Sequence, residues 1–183
     1  MRILLLSILT IFSFDALSQS ENFAIILKVR GNVKYTHEGN VYSVKKGAKI
    51  PEGSVLNSKE KSFAILKMAD ETKLTLGPSS SIEISALSEK GKPGIISLLK
   101  GQLRSKVKPD KVKKGNKLFI KANMAALGVR GTETIINFND KSGSFTVGGL
   151  TGEVAIASLK NDVGGNKADA VSNLKKVLSN KNP

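Results

Sequence analysis

The chain has no cysteine and no tryptophan, one histidine, and 15 acidic side chains against 29 basic ones. Without cysteine there is no disulfide framework, no thiolate nucleophile and no sulfur-ligated zinc or iron–sulfur site, and His37 alone cannot build a two- or three-histidine metal centre. Aromatic residues make up only 5% of the chain. Phe23, Tyr35, Tyr42, Phe63, Phe119, Phe138 and Phe145 fall mostly inside apolar runs, which leaves little stacking surface for a specific nucleic-acid partner. The shortage of acidic residues gives a formal charge of +14. A charge of this size favours acidic partners.

Long apolar runs are also missing after the first eighteen residues. Arg2, the run Ile3 to Phe14 and the small residues of Ala16-Leu17-Ser18 read as an export signal, with cleavage expected after Ser18. About 12 apolar residues fall short of the ~20 that a spanning helix needs. Residues 1–18 are therefore expected to be a signal peptide, and the mature chain to be periplasmic or secreted, with no transmembrane segment after cleavage.

From Phe23 to Ser158 the pattern is short Val/Ile/Phe/Thr-rich runs punctuated by Gly, Asn, Asp, Pro and Ser. It predicts strands and no long helix. Expected strands include 23–29, 33–36, 41–44, 55–57, 62–68, 73–76, 81–84, 94–99, 102–107, 118–122, 132–138, 144–147 and 154–157. Glu38-Gly39-Asn40 is expected to be a hairpin turn with positive φ at Gly39 and Asn40. Arg30-Gly31-Asn32-Val33, Lys100-Gly101-Gln102-Leu103 and Thr151-Gly152-Glu153-Val154 repeat a strand–Gly–strand phrase suited to a chain winding back on itself. The expected fold class is all-β, a short roll or solenoid-like two-sheet domain over 23–157. In the 158–183 tail, Ala168, Val171, Leu174, Val177 and Leu178 keep helical spacing, which predicts a linker and one C-terminal amphipathic helix.

In order along the chain come Gly31-Asn32-Val33, Gly47 to Leu56, Ser62-Phe63-Ala64-Ile65-Leu66, Asp70-Glu71-Thr72-Lys73-Leu74-Thr75-Leu76-Gly77-Pro78-Ser79-Ser80, Leu99 to Leu103, and Gly128-Val129-Arg130-Gly131-Thr132-Glu133. Taken together, these segments resemble the FecR-like domain, an extracytoplasmic all-β module of bacteria, over about 23–157. Glu71 stands where the family usually has Gly, and Ser54 where it has Asp. Nothing in the chain matches the cytoplasmic anti-sigma segment or membrane span of the FecR signalling regulators. The resemblance therefore implies the domain and its compartment more than transmembrane signalling.

Within Gly128-Val129-Arg130-Gly131-Thr132, a guanidinium among apolar residues suits a half-buried structural tie to carbonyls or to Asp70 or Glu133, with an anionic ligand as the alternative. Lys100 to Lys121 carries nine basic residues against Asp110, and its loop residues Lys108, Lys111, Lys113, Lys114 and Lys117 are the candidate charged contact. Ser-x-x-Lys spacings recur at five serines, as chance allows in a chain rich in both. No acid/base or metal-ligand spacing accompanies them. No catalytic residue, cofactor or metal is expected. The expected role is an exported, non-catalytic binding or interaction module of the bacterial cell envelope, in signal sensing or envelope assembly, whose partner is an envelope protein or an anionic envelope polymer. The alternative is capture of an anionic glycan or lipid by the basic loop, and an envelope enzyme is the third reading.

Overall fold

A computed structural model describes residues 23–88, 92–109, 118–123, 125–151 and 154–158. Fourteen strands form, in chain order β1 (Phe23–Arg30), β2 (Val33–His37), β3 (Asn40–Ser43), β4 (Lys49–Pro51), β5 (Val55–Ser58), β6 (Phe63–Lys67), β7 (Lys73–Leu76), β8 (Ser81–Ala86), β9 (Gly94–Lys106), β10 (Leu118–Ala122), β11 (Ala125–Val129), β12 (Glu133–Phe138), β13 (Phe145–Thr151) and β14 (Val154–Ser158). The expected all-β class holds, with no helix among the described residues. The predicted signal peptide and C-terminal helix lie outside them.

The two sheets expected of a roll are two layers of one curled, half-barrel sheet. The joint is β9. Its first half pairs with β8 and β10, and its second half pairs with β7 and β12. The sequence pattern predicts two strands here, but the chain makes one thirteen-residue strand that turns at Gly101. Layer A thus contains β4, β1, β6, β7, β9, β12 and β13, and layer B contains β3, β2, β5, β8, β9, β10, β11 and β14. β10 lies parallel to β9, with Gly94 opposite Leu118, so the chain completes one coil before it reverses. Inward positions such as Ala24, Ile26, Leu66, Leu74, Leu76, Ile82, Ile96, Leu103 and Ile136 are almost wholly buried and form one core. Burial of this apolar area drives the two layers together.

Where the described chain passes between layers, it does so at a residue of positive φ. Gly31, Gly47, Gly53, Lys61, Ser79, Gly101 and Gly131 mark these crossings, and Glu38, Gly39, Glu71, Asn123 and Gly143 mark the hairpins. In the first hairpin the positive-φ pair is Glu38 and Gly39 rather than Gly39 and Asn40, which gives the doubly left-handed turn that fits the strand twist. β4 and β11, which the pattern did not predict, are short or rich in small residues. They are fixed by pairing to β1, and to β10 and β14.

Several crossings are followed at once by a buried Ser or Thr: Gly53-Ser54, Lys61-Ser62, Ser79-Ser80 and Gly131-Thr132. The best-tied crossing is at Gly101. There the Gln102 N–H donates to Ser80 Oγ at 2.8 Å, the Ser80 hydroxyl donates to the Pro78 carbonyl at 2.8 Å, and the Ser80 N–H donates to Ser58 Oγ at 3.0 Å. Ser58 in turn donates to the Gly77 carbonyl. These hydroxyls satisfy backbone groups that lose their ladder partners where the sheet turns. Gly31 repeats the device, with the Asn32 N–H on Ser62 Oγ at 2.9 Å and the Ser62 hydroxyl on the Glu60 carbonyl at 3.1 Å.

A side chain at Gly101 would place Cβ 2.3 Å from Ser80 Oγ and 2.7 Å from Ser80 Cα, whereas at Gly39 it would meet nothing within 4 Å. Gly39→Ala is expected to cost about 1–2 kcal/mol from its left-handed backbone alone. Gly101→Ala is expected to cost roughly 1–3 kcal/mol more from steric overlap. Urea unfolding of the two variants checks this, and equal losses would show that the β9 corner is not closely packed.

Candidate functional site: a basic ladder on the outer face of layer A

Strand alternation decides which side chains of layer A face outward. With Ala24, Leu66, Leu74, Leu103 and Ile136 inside, the outward set includes Ile25, Lys67, Lys73, Arg104 and Glu133. Register then aligns them across the sheet. Lys49, Ile25, Lys67, Lys73, Lys106 and Glu133 stand side by side on β4, β1, β6, β7, β9 and β12. In the next row are Lys28, Ile65, Thr75, Arg104 and Ile135, and beyond it Arg30 opposite Phe63 and Gln102 opposite Asn137. A bulge between Ile26 and Lys28 keeps Lys28 and Arg30 on this outer face.

Directly opposed side chains sit about 5 Å apart at Cβ, and like charges so placed repel. Two carboxylates relieve part of the repulsion. Glu133 accepts from Arg104 Nε at 2.7 Å and pairs with Lys106 at 3.3 Å, while Glu71 pairs with Lys67 and, at 3.5 Å, with Lys108. The Arg104 hydrogen bond, opposed by desolvation and aided by Lys106, holds the Glu133 carboxyl below its ordinary 4.5. Glu71 is likewise lowered, first by its hydrogen bond to Lys67. Glu71 has a φ of +68°, the backbone state for which glycine is the easier residue. With Glu rather than Gly at this position, a carboxylate stands between two lysines. Lys73, between Lys67 and Lys106, has no ion pair among the described residues.

Of the basic loop, Lys108 is exposed at the end of β9, beside this face. Lys111, Lys113, Lys114 and Lys117 lie outside the described residues. The Lys100–Lys121 cluster divides, because Lys100 and Lys121 belong to layer B while Arg104 and Lys106 join lysines from β4, β6 and β7. Lys49, Lys67 and Lys73 are too far apart in sequence to read as a cluster. Only cross-strand register reveals them.

Gly128-Val129-Arg130-Gly131-Thr132 forms the corner between β11 and β12. Gly128 and Val129 are buried, and Gly131 packs against Pro109, which an added Cβ would meet at 2.9 Å. Arg130 is exposed rather than half-buried. Asp70 accepts from the Thr72 N–H and hydroxyl, Glu133 pairs with Arg104 and Lys106, and Arg130 is itself engaged in an interaction. The Thr132 carbonyl accepts from Val107 N–H, while its buried hydroxyl has no partner among the described residues.

Sequence spacing offered no serine for His37, yet Ser54 Oγ lies 3.2 Å from its Nδ1, and Glu38 lies 3.9 Å from its Nε2. Ser54 is fully buried. The contact ties β2 to the β4–β5 corner. Among the described residues no group of three or more His, Asp or Glu is placed to hold a metal ion, and no helix is long and apolar enough to cross a membrane.

A family model described as FecR protein matches residues 54–155, more than half of the chain. The match begins at Ser54 and takes in β5 through β13, whereas the ladder also draws on β1 and β4 ahead of it. No curated protein and no solved structure matches the chain.

Because their pKa values are lowered, the Glu133 and Glu71 pairs persist above the ordinary carboxylate range and are lost only as pH falls through the lowered values. Glu133→Gln releases Arg104 and Lys106 at neutral pH and is expected to tighten binding of polyphosphate several-fold. In the unsubstituted protein the same gain is expected only well below pH 4.5. Weaker polyphosphate binding by Glu133→Gln would contradict this account of the face.

Proposed function

Because the chain belongs to the FecR family, we propose that it is an exported, non-catalytic binding module of the bacterial cell envelope that captures an anionic partner on the outer face of layer A. The observation carrying this reading is Lys73, held directly between Lys67 and Lys106 with no carboxylate of its own among the described residues. Such a row of like charges works against sheet stability, so its natural use is to meet charge from outside. Lys28, Arg30, Lys49, Arg104 and Lys108 extend the same field. The mechanism is electrostatic capture on a preformed, rigid surface, with no bond made or broken.

A second reading rests on β3, an edge strand all of whose residues are exposed. Val41 is 62% and Tyr42 43% exposed, and the Tyr42 ring stacks on Tyr35 at 4.9 Å. An extended segment of a partner protein can add to such an edge by main-chain hydrogen bonds.

Lys73→Glu separates the two. It is expected to raise the thermal midpoint by relieving repulsion, and to weaken polyphosphate binding by about tenfold at low salt, with the difference fading as salt screens the face. Val41→Lys is expected to leave polyphosphate binding unweakened. A Lys73→Glu variant that binds as before would overturn the ladder as the binding surface.

A further inference from the structure

At the hinge end of layer A, where β9 turns at Gly101, the surface opens into a cleft of about 380 Å³. In a protein of charge +14, none of the residues lining it is charged. The lining combines the amides of Gln102, Asn137 and Asn139 and the hydroxyl of Thr146 with the apolar surface of Pro78, while Phe138 turns its side chain into the core beneath. Gln102, Asn137 and Thr146 form one cross-strand row, outward-facing and exposed. Because residue 77 is glycine, the Gln102 side chain can lie close against the backbone there: a Cβ would lie 3.0 Å from both Gln102 Cβ and Gln102 Oε1.

The side-chain amides of Gln102 and Asn137 and the Thr146 hydroxyl make no hydrogen bond among the described residues. Asn139 Oδ1 accepts from the N–H groups of Lys141 and Ser142, which fixes the side chain that closes one wall. Amides both donate and accept, as sugar hydroxyls do, and the exposed ring of Pro78 suits the C–H face of a sugar ring. On β9, same-face neighbours are about 6.7 Å apart, so Arg104 stands one step and Lys106 two steps from Gln102. The neutral cleft and the cationic rows are therefore parts of one continuous face.

We propose that this cleft is a sugar-ring subsite, and that the anionic partner is an acidic glycan whose ring rests over the Gln102 and Asn137 amides, against Pro78, while its carboxylates or phosphates lie on the Arg104 and Lys106 rows. The proposal rests on the ladder reading above and narrows its partner from polyanions in general to acidic glycans. A plain polyphosphate uses the ladder without the cleft. An acidic glycan uses both.

The test titrates the purified full chain with uronic-acid oligomers from alginate and, separately, with polyphosphate. Gln102→Ala combined with Asn137→Ala is expected to weaken the uronate oligomers roughly tenfold, as loss of two hydrogen-bonding groups implies, and to leave polyphosphate unchanged. Lys73→Glu is expected to weaken both. The side-chain NH₂ resonances of Gln102 and Asn137 are expected to shift with the oligomers and stay in place with polyphosphate. Polyphosphate binding without uronate binding, or uronate binding indifferent to the double substitution, would overturn the sugar subsite and leave the ladder standing. Binding of neither polymer at low salt would overturn both.

Discussion

A half-barrel of short strands must turn its backbone between layers many times without leaving amides stranded in the core, and the crossing at Gly101 shows how this chain does it. A left-handed residue turns the strand from one layer into the other, and hydroxyls placed at the turn take up the freed N–H and carbonyl groups. Ser58 and Ser80 do this for β5, β8 and β9 together, and Ser62 does it between β1 and β6. Larger side chains at 58 or 80 would fill the space that lets the backbones meet. Apolar ones would leave buried groups unpaired, a heavier loss than a missing surface contact. β9 can serve both layers only because this corner holds.

The corners also fix what the outside of the sheet presents. Once β9 turns at Gly101, Leu103 is committed to the core and Gln102, Arg104 and Lys106 to solvent, and a slip of one residue would exchange the two sets. The same logic on β6 and β7 sets Lys67 and Lys73 outward. The resulting face grades from lysines through Arg104 to neutral amides within the length of one strand. Glu71 and Glu133 hold individual cations in place without cancelling the field. Like charges in register and an uncharged cleft at one end are thus laid out along one face by the pairing of the strands.

Much of this was legible beforehand. Alternation of apolar and polar residues located most strands, and the strand–Gly–strand phrases at Gly31 and Gly101 marked real corners. The left-handed states of Lys61, Glu71 and Ser79 carry no residue-type signal, since non-glycine residues adopt them only when surrounding structure demands it. β11 escaped notice because Ala125-Ala126-Leu127-Gly128 has little intrinsic strand preference and depends on β10 and β14 for its pairing. The charged cluster of Lys100 to Lys121 is visible in the sequence, but how its described members are shared between the layers is not. The corner at Gly101 divides it, while register brings in Lys49, Lys67 and Lys73 from elsewhere. The apolar residues that flank Arg130 in sequence suggest a half-buried side chain, but at the corner Val129 turns inward while Arg130 is exposed.

The most direct test of the account is amide chemical-shift mapping of the isotopically labelled protein with a polyanion at low salt. The account predicts the largest shifts at Lys67, Lys73, Arg104 and Lys106 on the outer face of layer A, with Val41 and Tyr42 unmoved. Shifts confined to β3, or spread evenly over both layers, would contradict it.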